Sequence, residues 1–569
     1  MSESETSGSE EYFDRMTSDS EIESDVRSLR ENDYEPEVDK ALLTLSHPAA
    51  PSDNDFEMEN LDRMTGYSEF DSDLSSFEVG YCESEDDMDF SSLTSLSSSD
   101  DEEYEPEHDV VTPSTSAAHC HSDDEMEDRY YREVFSLEEP QPFPFPFREV
   151  PGPKHMPPPD SPPIAYFYLF FTSTLLSLMV EETNRYAQQE LNRMGNNVPS
   201  HLKKWTKVSV SEMKGFLACI LNLGRKKSSD PARYWCTSPI QSASWFREML
   251  SKQRFCQLLS FFHVVDDSKL PGIGELGYDP CAKFQPLLNH LNRVSQHYYT
   301  PHQEISIDEI YMGFKFWMMI DSVSSYCLGF FPSERAESQQ EDHSISELGL
   351  GCTVVQKLLE IDIYLNKGYH FFIDRCFMSV PLVHRLYSLQ TYVTGTVRGN
   401  QKMLPKQFKK NFADKETSYF RSGPLLACGF KEKQSQMNPI FILSSHAWAR
   451  DVEIIRNGKA KIKPEIIQNY NKYMSGVDIS DMVLYTGYDK SKSMKYWKNL
   501  AFNVIARMAL NSYMLYKEKF AGPGKVKSRD AYHVAVIESL AEEWMATKST
   551  TNNSQESEDG ETSGKKESP

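Results

Sequence analysis

No two of the ten cysteines in this 569-residue chain form a Cys-x-x-Cys pair; all stand singly. That spacing argues against a zinc ribbon or finger and against a secreted disulfide framework, so a reducing intracellular compartment is expected. A long apolar run is also missing. The longest, Ile164 to Val180, is broken by Thr172, Ser173, Thr174 and Ser177, and a span needs about 20 predominantly apolar residues. No membrane partner is expected. The opening Met1-Ser2-Glu3-Ser4-Glu5 lacks the basic and apolar stretches of a secretory signal. There is no Walker loop, and Gly349-Leu350-Gly351 lacks the third glycine and the context of a dinucleotide fingerprint. His302, His343, His370 and His384 fall at no metal-ligand spacing, and no Ser-His-Asp or Cys-His arrangement is legible.

Positive charge is scarce in one part only. Residues 1–150 hold 44 acidic and 8 basic side chains, a net of −36, whereas the whole chain carries −27. A strongly acidic tail is thus joined to a mildly basic body, the asymmetry of a nucleic-acid-facing domain with an anionic appendage. A solvated tail on an ordinary enzyme gives the same balance. Residues 1–163 read as a disordered acidic tail ending in a stiff Pro-rich linker, because they lack periodic apolar residues to offset ordering entropy. Runs such as Ser122-Asp123-Asp124-Glu125 resemble sites for acid-directed kinases.

Ordered structure is expected from Ile164. Leu175, Leu176, Met179 and Val180 recur at helical spacing, and Ser209-Val210-Ser211-Glu212 reads as a capped helix start before Met213, Phe216 and Leu217. Residues 164–303 therefore form a helical domain. From Glu304 the pattern turns to strands at Ile305–Met312, Phe316–Ile320 and Tyr326–Phe330. A helix near Cys352–Glu360, a strand at Tyr369–Asp374, a helix opened by Pro381 and a strand at Thr391–Val397 follow. Strands followed by alternating strands and helices predict an α/β fold, a mixed sheet flanked by helices. That domain spans 304–520, with an insertion at about 400–465. Tyr496–Lys517 reads as an amphipathic helix, 521–546 as a C-terminal helical segment and 547–569 as a disordered tail.

Three aspartates stand out. Asp308 lies in a short alternating strand, Asp374 ends an apolar one, and Asp478 opens a helix, with Asp481 one turn on. Two carboxylates on strands and one on a helix can surround one or two divalent metals and activate water against a phosphodiester. Each alone reads more readily as a polar strand end or a helix cap.

With these residues in place, the chain resembles the piggyBac transposase family and the host proteins derived from it. The likeness runs through Thr183-Asn184-Arg185-Tyr186-Ala187, Glu212-Met213-Lys214-Gly215-Phe216-Leu217, Arg254-Phe255 and Ile307-Asp308-Glu309. It continues through Gly395-Thr396-Val397-Arg398, Leu443-Ser444-Ser445 and Tyr470 to Asp478. The resemblance implies an RNase H-like catalytic domain after a helical dimerisation and DNA-binding domain. It also implies cut-and-paste transposition with Mg²⁺ or Mn²⁺ held by Asp308, Asp374 and Asp478, with Asp481 at a further acidic position. Arg398 closes the Gly-Thr-Val-Arg motif, Lys402 and Lys406 follow it, and all three are candidate phosphate contacts. The expected partner is DNA; chromatin proteins and a homodimer are further candidates. The expected location is the nucleus.

Three departures qualify the transposase expectation. About twenty residues usual after the first aspartate are missing, leaving Gly313 as the one obvious turn residue. Asp374 is followed by Arg375-Cys376 where the family commonly has Asn. No cysteine follows Cys428, so the family's terminal zinc module is not expected. The leading expectation is a domesticated, transposase-derived nuclear protein that binds DNA or chromatin with weak or lost activity. An active metal-dependent transposase and a protein-interaction scaffold built on the acidic tail are the alternatives.

Overall fold

A computed structural model describes residues 131–562, apart from 137–142, 201, 203, 227–230, 238–243, 273, 312–314, 333–362, 433–437, 457–458, 487–495 and 520–525. The tail over residues 1–130, the helix expected near Cys352–Glu360 and Gly313 lie outside the described residues.

Strand β1 is Arg132–Val134 and β2 is Gly152–Pro153. The helical half contains α1 (Pro163–Phe170), α2 (Ser173–Met194), α3 (Val210–Lys226), α4 (Ser244–Met249), α5 (Lys252–Phe261) and α6 (Gln285–Tyr298). The helix starts follow local chemistry. Thr172 caps α2 by accepting from Leu175 N–H at 3.3 Å, and Ser209 caps α3 by accepting from Glu212 N–H at 3.2 Å. The Glu212 carboxylate does not return to its cap. It takes two 2.7 Å hydrogen bonds from Arg254, whose guanidinium lies over Trp205. The motif residues Glu212 and Arg254 thus form a fork that ties α3 to α5.

The strand-rich half continues with β3 (Tyr299–Thr300), β4 (Glu304–Tyr311), β5 (Lys315–Asp321), β6 (Cys327–Pro332), β7 (His370–Ile373), α7 (Val380–Ser388) and β8 (Tyr392–Val397). Next come β9 (Thr417–Ser422), β10 (Leu425–Phe430), β11 (Ile440–Ser444), β12 (Asp451–Arg456) and β13 (Lys459–Pro464). Helices α8 (Glu465–Met474), α9 (Gly476–Thr486), α10 (Tyr496–Lys519) and α11 (Arg529–Thr562) complete the fold. The main sheet has the order β1-β9-β10-β11-β8-β7-β4-β5-β6. Strands β4, β5 and β6 pair antiparallel, while β7 joins β4 and β8 joins β7 in parallel. Taken from β6 to β8, the chain order is third, second, first, fourth, fifth. This mixed, helix-flanked sheet is the RNase H-like arrangement expected from the resemblance.

The shortened segment after Asp308 does not break the sheet. Strand β5 pairs with β4 from Tyr311↔Lys315 to Ile305↔Asp321, with Asp308 opposite Met318. Of the segment expected as an insertion, β9, β10 and β11 extend the main sheet, and only the β12–β13 hairpin forms a sheet of its own.

Three sequence expectations are corrected. The stretch read as a Pro-rich linker is in part a packed strap. Phe143 stacks on His446 and Trp448, Phe145 meets Tyr387 and Tyr392, and Phe147 meets Tyr369. Alternating Phe and Pro lets each ring find an aromatic site while the prolines hold an extended chain. Gly368 is required beneath it: at φ +76° a Cβ would meet the Phe145 carbonyl oxygen at 2.8 Å.

Second, α11 runs to Thr562, into the stretch read as a disordered tail. Trp544 anchors it by packing on Gly215 and donating to Met249 O at 2.8 Å. The hydroxyls of Thr547, Ser549 and Thr550 bond back one turn, so the polar run does not interrupt it.

Third, α10 is buried all round rather than amphipathic. Its polar residues connect neighbouring elements. Lys498 donates to the carbonyls of Leu259 and Ser260 at the end of α5, and Asn511 bonds both the N–H and the C=O of Cys327 on β6. A buried polar group with partners avoids the desolvation penalty that would otherwise expel it.

Candidate acidic site and nucleic-acid interface

One face of the sheet gathers the three aspartates. Side chains alternate along a strand, so Ser306 and Asp308 share a face of β4. The parallel register Ser306↔Phe372 and Ile307↔Ile373 brings Asp374, the next residue after β7, beside Asp308. Helix α9 lies on that face. Its first residue, Gly476, is so close to the sheet that a Cβ would sit 2.8 Å from Ser306 Oγ and 3.6 Å from an Ile320 methyl. Lacking a side chain there, the helix can rest its first turn on β4 and β5 and hold Asp478 near Asp308. Tyr473 of α8 packs on Phe372, 5.0 Å between ring centroids, and fixes the approach.

The electrostatics report the same convergence. Burial pushes the Asp308 carboxyl up to about 7, and the charges of Asp374, Asp478 and Glu309 push in the same direction. The Glu309 N–H, donating to Asp308 Oδ1 at 2.8 Å, opposes them. Burial and the charge of Asp481 raise Asp478. Two residues absent from the sequence reading of the site join it. The Tyr470 hydroxyl is raised by burial and by the charges of Asp374 and Asp308, and meets Thr396 Oγ1 at 3.4 Å. The exposed Cys376 thiol is raised first by burial and then by Asp374, to which it hydrogen-bonds. Tyr470 opens the Tyr470–Asp478 match and could have been singled out there; Cys376 was visible only as a departure from Asn.

Asp481 is placed differently. Its carboxylate pairs with Arg507 of α10, a guanidinium whose side chain is 1% exposed. Arg507 also donates to Asn503 at 3.1 Å and lies over the Phe330 ring. Asp481 therefore serves a charge buried between α9 and α10, while Asp478 remains exposed on the site face.

Hard carboxylate oxygens suit Mg²⁺, but the fit to a metal is incomplete. Among the described residues, no three Asp, Glu, His or Cys side chains stand close enough to hold one ion. The carboxylates are neighbours without forming a closed ligand set.

The basic candidates adjoin this face. Arg398 follows β8, is exposed, and is close enough to Cys376 to favour its thiolate. Lys402 is exposed and Lys406 half-buried, on a loop pinned at both ends. Gln401 donates to Met378 O at 2.9 Å, and Phe408 stacks on Phe441. With Met403 in the left-handed region at φ 64°, the loop turns tightly.

A mixed sheet in this strand order, with acids on its first strand, after its fourth and on a later helix packed against it, is the core of a DDE-type transposase. The chain belongs to that family in its piggyBac branch: the family model described as Transposase IS4 matches residues 162–315 and 310–513. The two matched stretches meet at the segment shortened after Asp308. Human PiggyBac transposable element-derived protein 2 is 24% identical over 390 residues, 62% of this chain and 61% of its own length. The human PiggyBac transposable element-derived protein 3 is 23% identical over 63% and 62%, respectively. The chain thus spans about three fifths of the length of these curated relatives. A piggyBac transposase solved by cryo-EM in a synaptic complex with hairpin DNA shares the fold. Its TM-score is 0.59 at 22% identity, covering 70% of this chain and 84% of that one.

Proposed function

We propose that this protein is a domesticated, transposase-derived DNA-binding protein of the nucleus, with chromatin as its setting and phosphodiester cleavage weak or lost. What supports the second half is the sequence around the acids: the segment after Asp308 is shortened, and Arg375 follows Asp374 where the family commonly has Asn. Family chemistry would use a divalent metal here, supplying Lewis-acid activation of water; Asp308, Asp374 and Asp478 are the residues that would hold it.

DNA binding is supported by the exposed Arg398 and Lys402 beside the acidic face. Such contacts neutralise phosphates irrespective of sequence and weaken as salt rises. The test is a pair of assays on the full chain: duplex binding across a salt series, and strand cleavage in Mg²⁺ or Mn²⁺. Salt-sensitive binding with negligible cleavage is expected.

The retained convergence of the three aspartates favours an active transposase as the second reading. Robust nicking and hairpin formation on piggyBac-type ends, abolished by Asp374→Asn, would establish it. Absence of DNA binding at low salt would instead favour a protein-interaction scaffold.

A further inference from the structure

The described chain begins at a fixed point. At the first described residue, the Tyr131 hydroxyl donates to Met403 O at 3.0 Å. Met403 lies between Lys402 and Lys406, on the loop that carries the candidate phosphate contacts. Immediately afterwards β1 pairs antiparallel with β9, putting Arg132 opposite Arg421. The chain is then held again by the rings of Phe143, Phe145 and Phe147. Two attachments, one by backbone pairing and one by aromatic packing, thus hold the start of the described chain. Tyr131 sits on a basic ledge, the 398–409 segment that carries Arg398, Lys402, Lys406 and Lys409, of which Arg398, Lys402 and Lys409 are exposed.

The departing segment is complementary in charge. Residues 1–130 hold 40 acidic and 6 basic side chains, a net of −34. Its last acidic run, Asp123-Asp124-Glu125-Met126-Glu127-Asp128, ends three positions before Tyr131. At roughly 3.5 Å per extended residue, Asp128 lies within about 10 Å of the Tyr131 backbone and Asp123 within about 28 Å. A ligand tethered that closely has an effective concentration on the order of millimolar. Weak exposed ion pairs suffice at such a concentration.

We propose that the acidic segment, through Asp123–Asp128, is the intramolecular occupant of the basic ledge, and that it competes there with nucleic-acid phosphates. The docking stands on geometry and charge; the competition rests on the DNA-binding reading above.

The test uses the full chain and a full-chain variant carrying Asp123→Asn, Asp124→Asn, Glu125→Gln, Glu127→Gln and Asp128→Asn. Zero-length carbodiimide cross-linking of an equal mixture of isotopically heavy and light protein separates bonds within one chain from bonds between chains. Docking predicts links within one chain from Asp123–Asp128 to Lys402, Lys406 or Lys409 at low ionic strength. They should be lost in the variant and at about 1 M salt, where the screening length is about 3 Å. Binding to a fluorescent random-sequence duplex should be about tenfold tighter in the variant, the scale of a few exposed ion pairs.

Absence of these links, or links only between chains or only to Lys459–Lys463, overturns the docking. Links with unchanged duplex affinity in the variant overturn the competition. Links with no duplex binding by either protein support the docking and overturn the DNA-binding reading instead.

Discussion

Arg507 and Asp481 offer the most discriminating perturbation. If Asp481 serves the Arg507 guanidinium, Asp481→Asn leaves a charge with a 1% exposed side chain uncompensated. Removing one partner of such a buried pair costs about 3–5 kcal/mol. The milder change is Arg507→Met. It leaves the Asp481 carboxylate, whose side chain is 20% exposed and can rehydrate, and orphans Asn503 Oδ1. About 2–3 kcal/mol is expected there, summing a lost charge-assisted bond and one unsatisfied acceptor. Replacing both should cost less than the sum, with a coupling near 2 kcal/mol, because the double variant buries no unpaired charge. Urea unfolding followed by circular dichroism measures all four proteins. A metal-ligand role for Asp481 predicts the opposite sign. Asp481→Asn would then relieve repulsion with Asp478 and stabilise the metal-free protein. A cost below about 1 kcal/mol for Asp481→Asn, with additive effects in the cycle, would refute the structural assignment.

Two further outcomes are expected. Asp321, fully buried, accepts from His302 Nδ1 at 2.8 Å, from His302 N–H at 3.0 Å and from Tyr299 at 2.9 Å. Burial alone would raise Asp321, but these bonds hold it below 3.8; burial would lower His302, but Asp321 holds it above 6.5. The His302 contribution is therefore full below pH 6.5 and lost as pH rises through its folded value, while that of Asp321 is present above pH 3.8 and lost in stronger acid. Hence the stability gap between wild type and His302→Gln should be widest near pH 5–6 and shrink toward pH 9; a gap constant over that range would contradict the linkage. Gly395→Ala should destabilise by about 1–3 kcal/mol, because its Cβ would lie 2.6 Å from the Ile373 carbonyl beside Asp374; a neutral result in urea unfolding would show that β7 and β8 can separate without cost.

Much of this was legible in the residues themselves. Alternating apolar positions after Glu304, the capping Ser209 and Pro381 at a helix start depend on local rules, and β4, α3 and α7 formed where those rules put them. The order of short motifs from Thr183 to Asp478 was likewise enough to indicate the family and to single out Asp308, Asp374 and Asp478. Local rules could not assign partners at long range. Asp478 and Asp481 look alike in sequence, three residues apart on one helix. Only the passage of α10 behind α9 gives Asp481 a buried guanidinium and leaves Asp478 on the site face. The same helix looked amphipathic because its polar residues are spaced like a wet face. Its tertiary contacts turn Lys498, Asn503, Arg507 and Asn511 into buried connectors. Composition gave the Phe-Pro repeat the look of a linker, since the aromatic surface receiving it comes from Tyr369, Tyr387, Tyr392, His446 and Trp448, more than 200 residues away. Periodicity and capping act within a few residues and can be read along the chain. Ion-pair choice, burial and the seating of α9 through Gly476 depend on what lies across the fold, so the tertiary structure decided them.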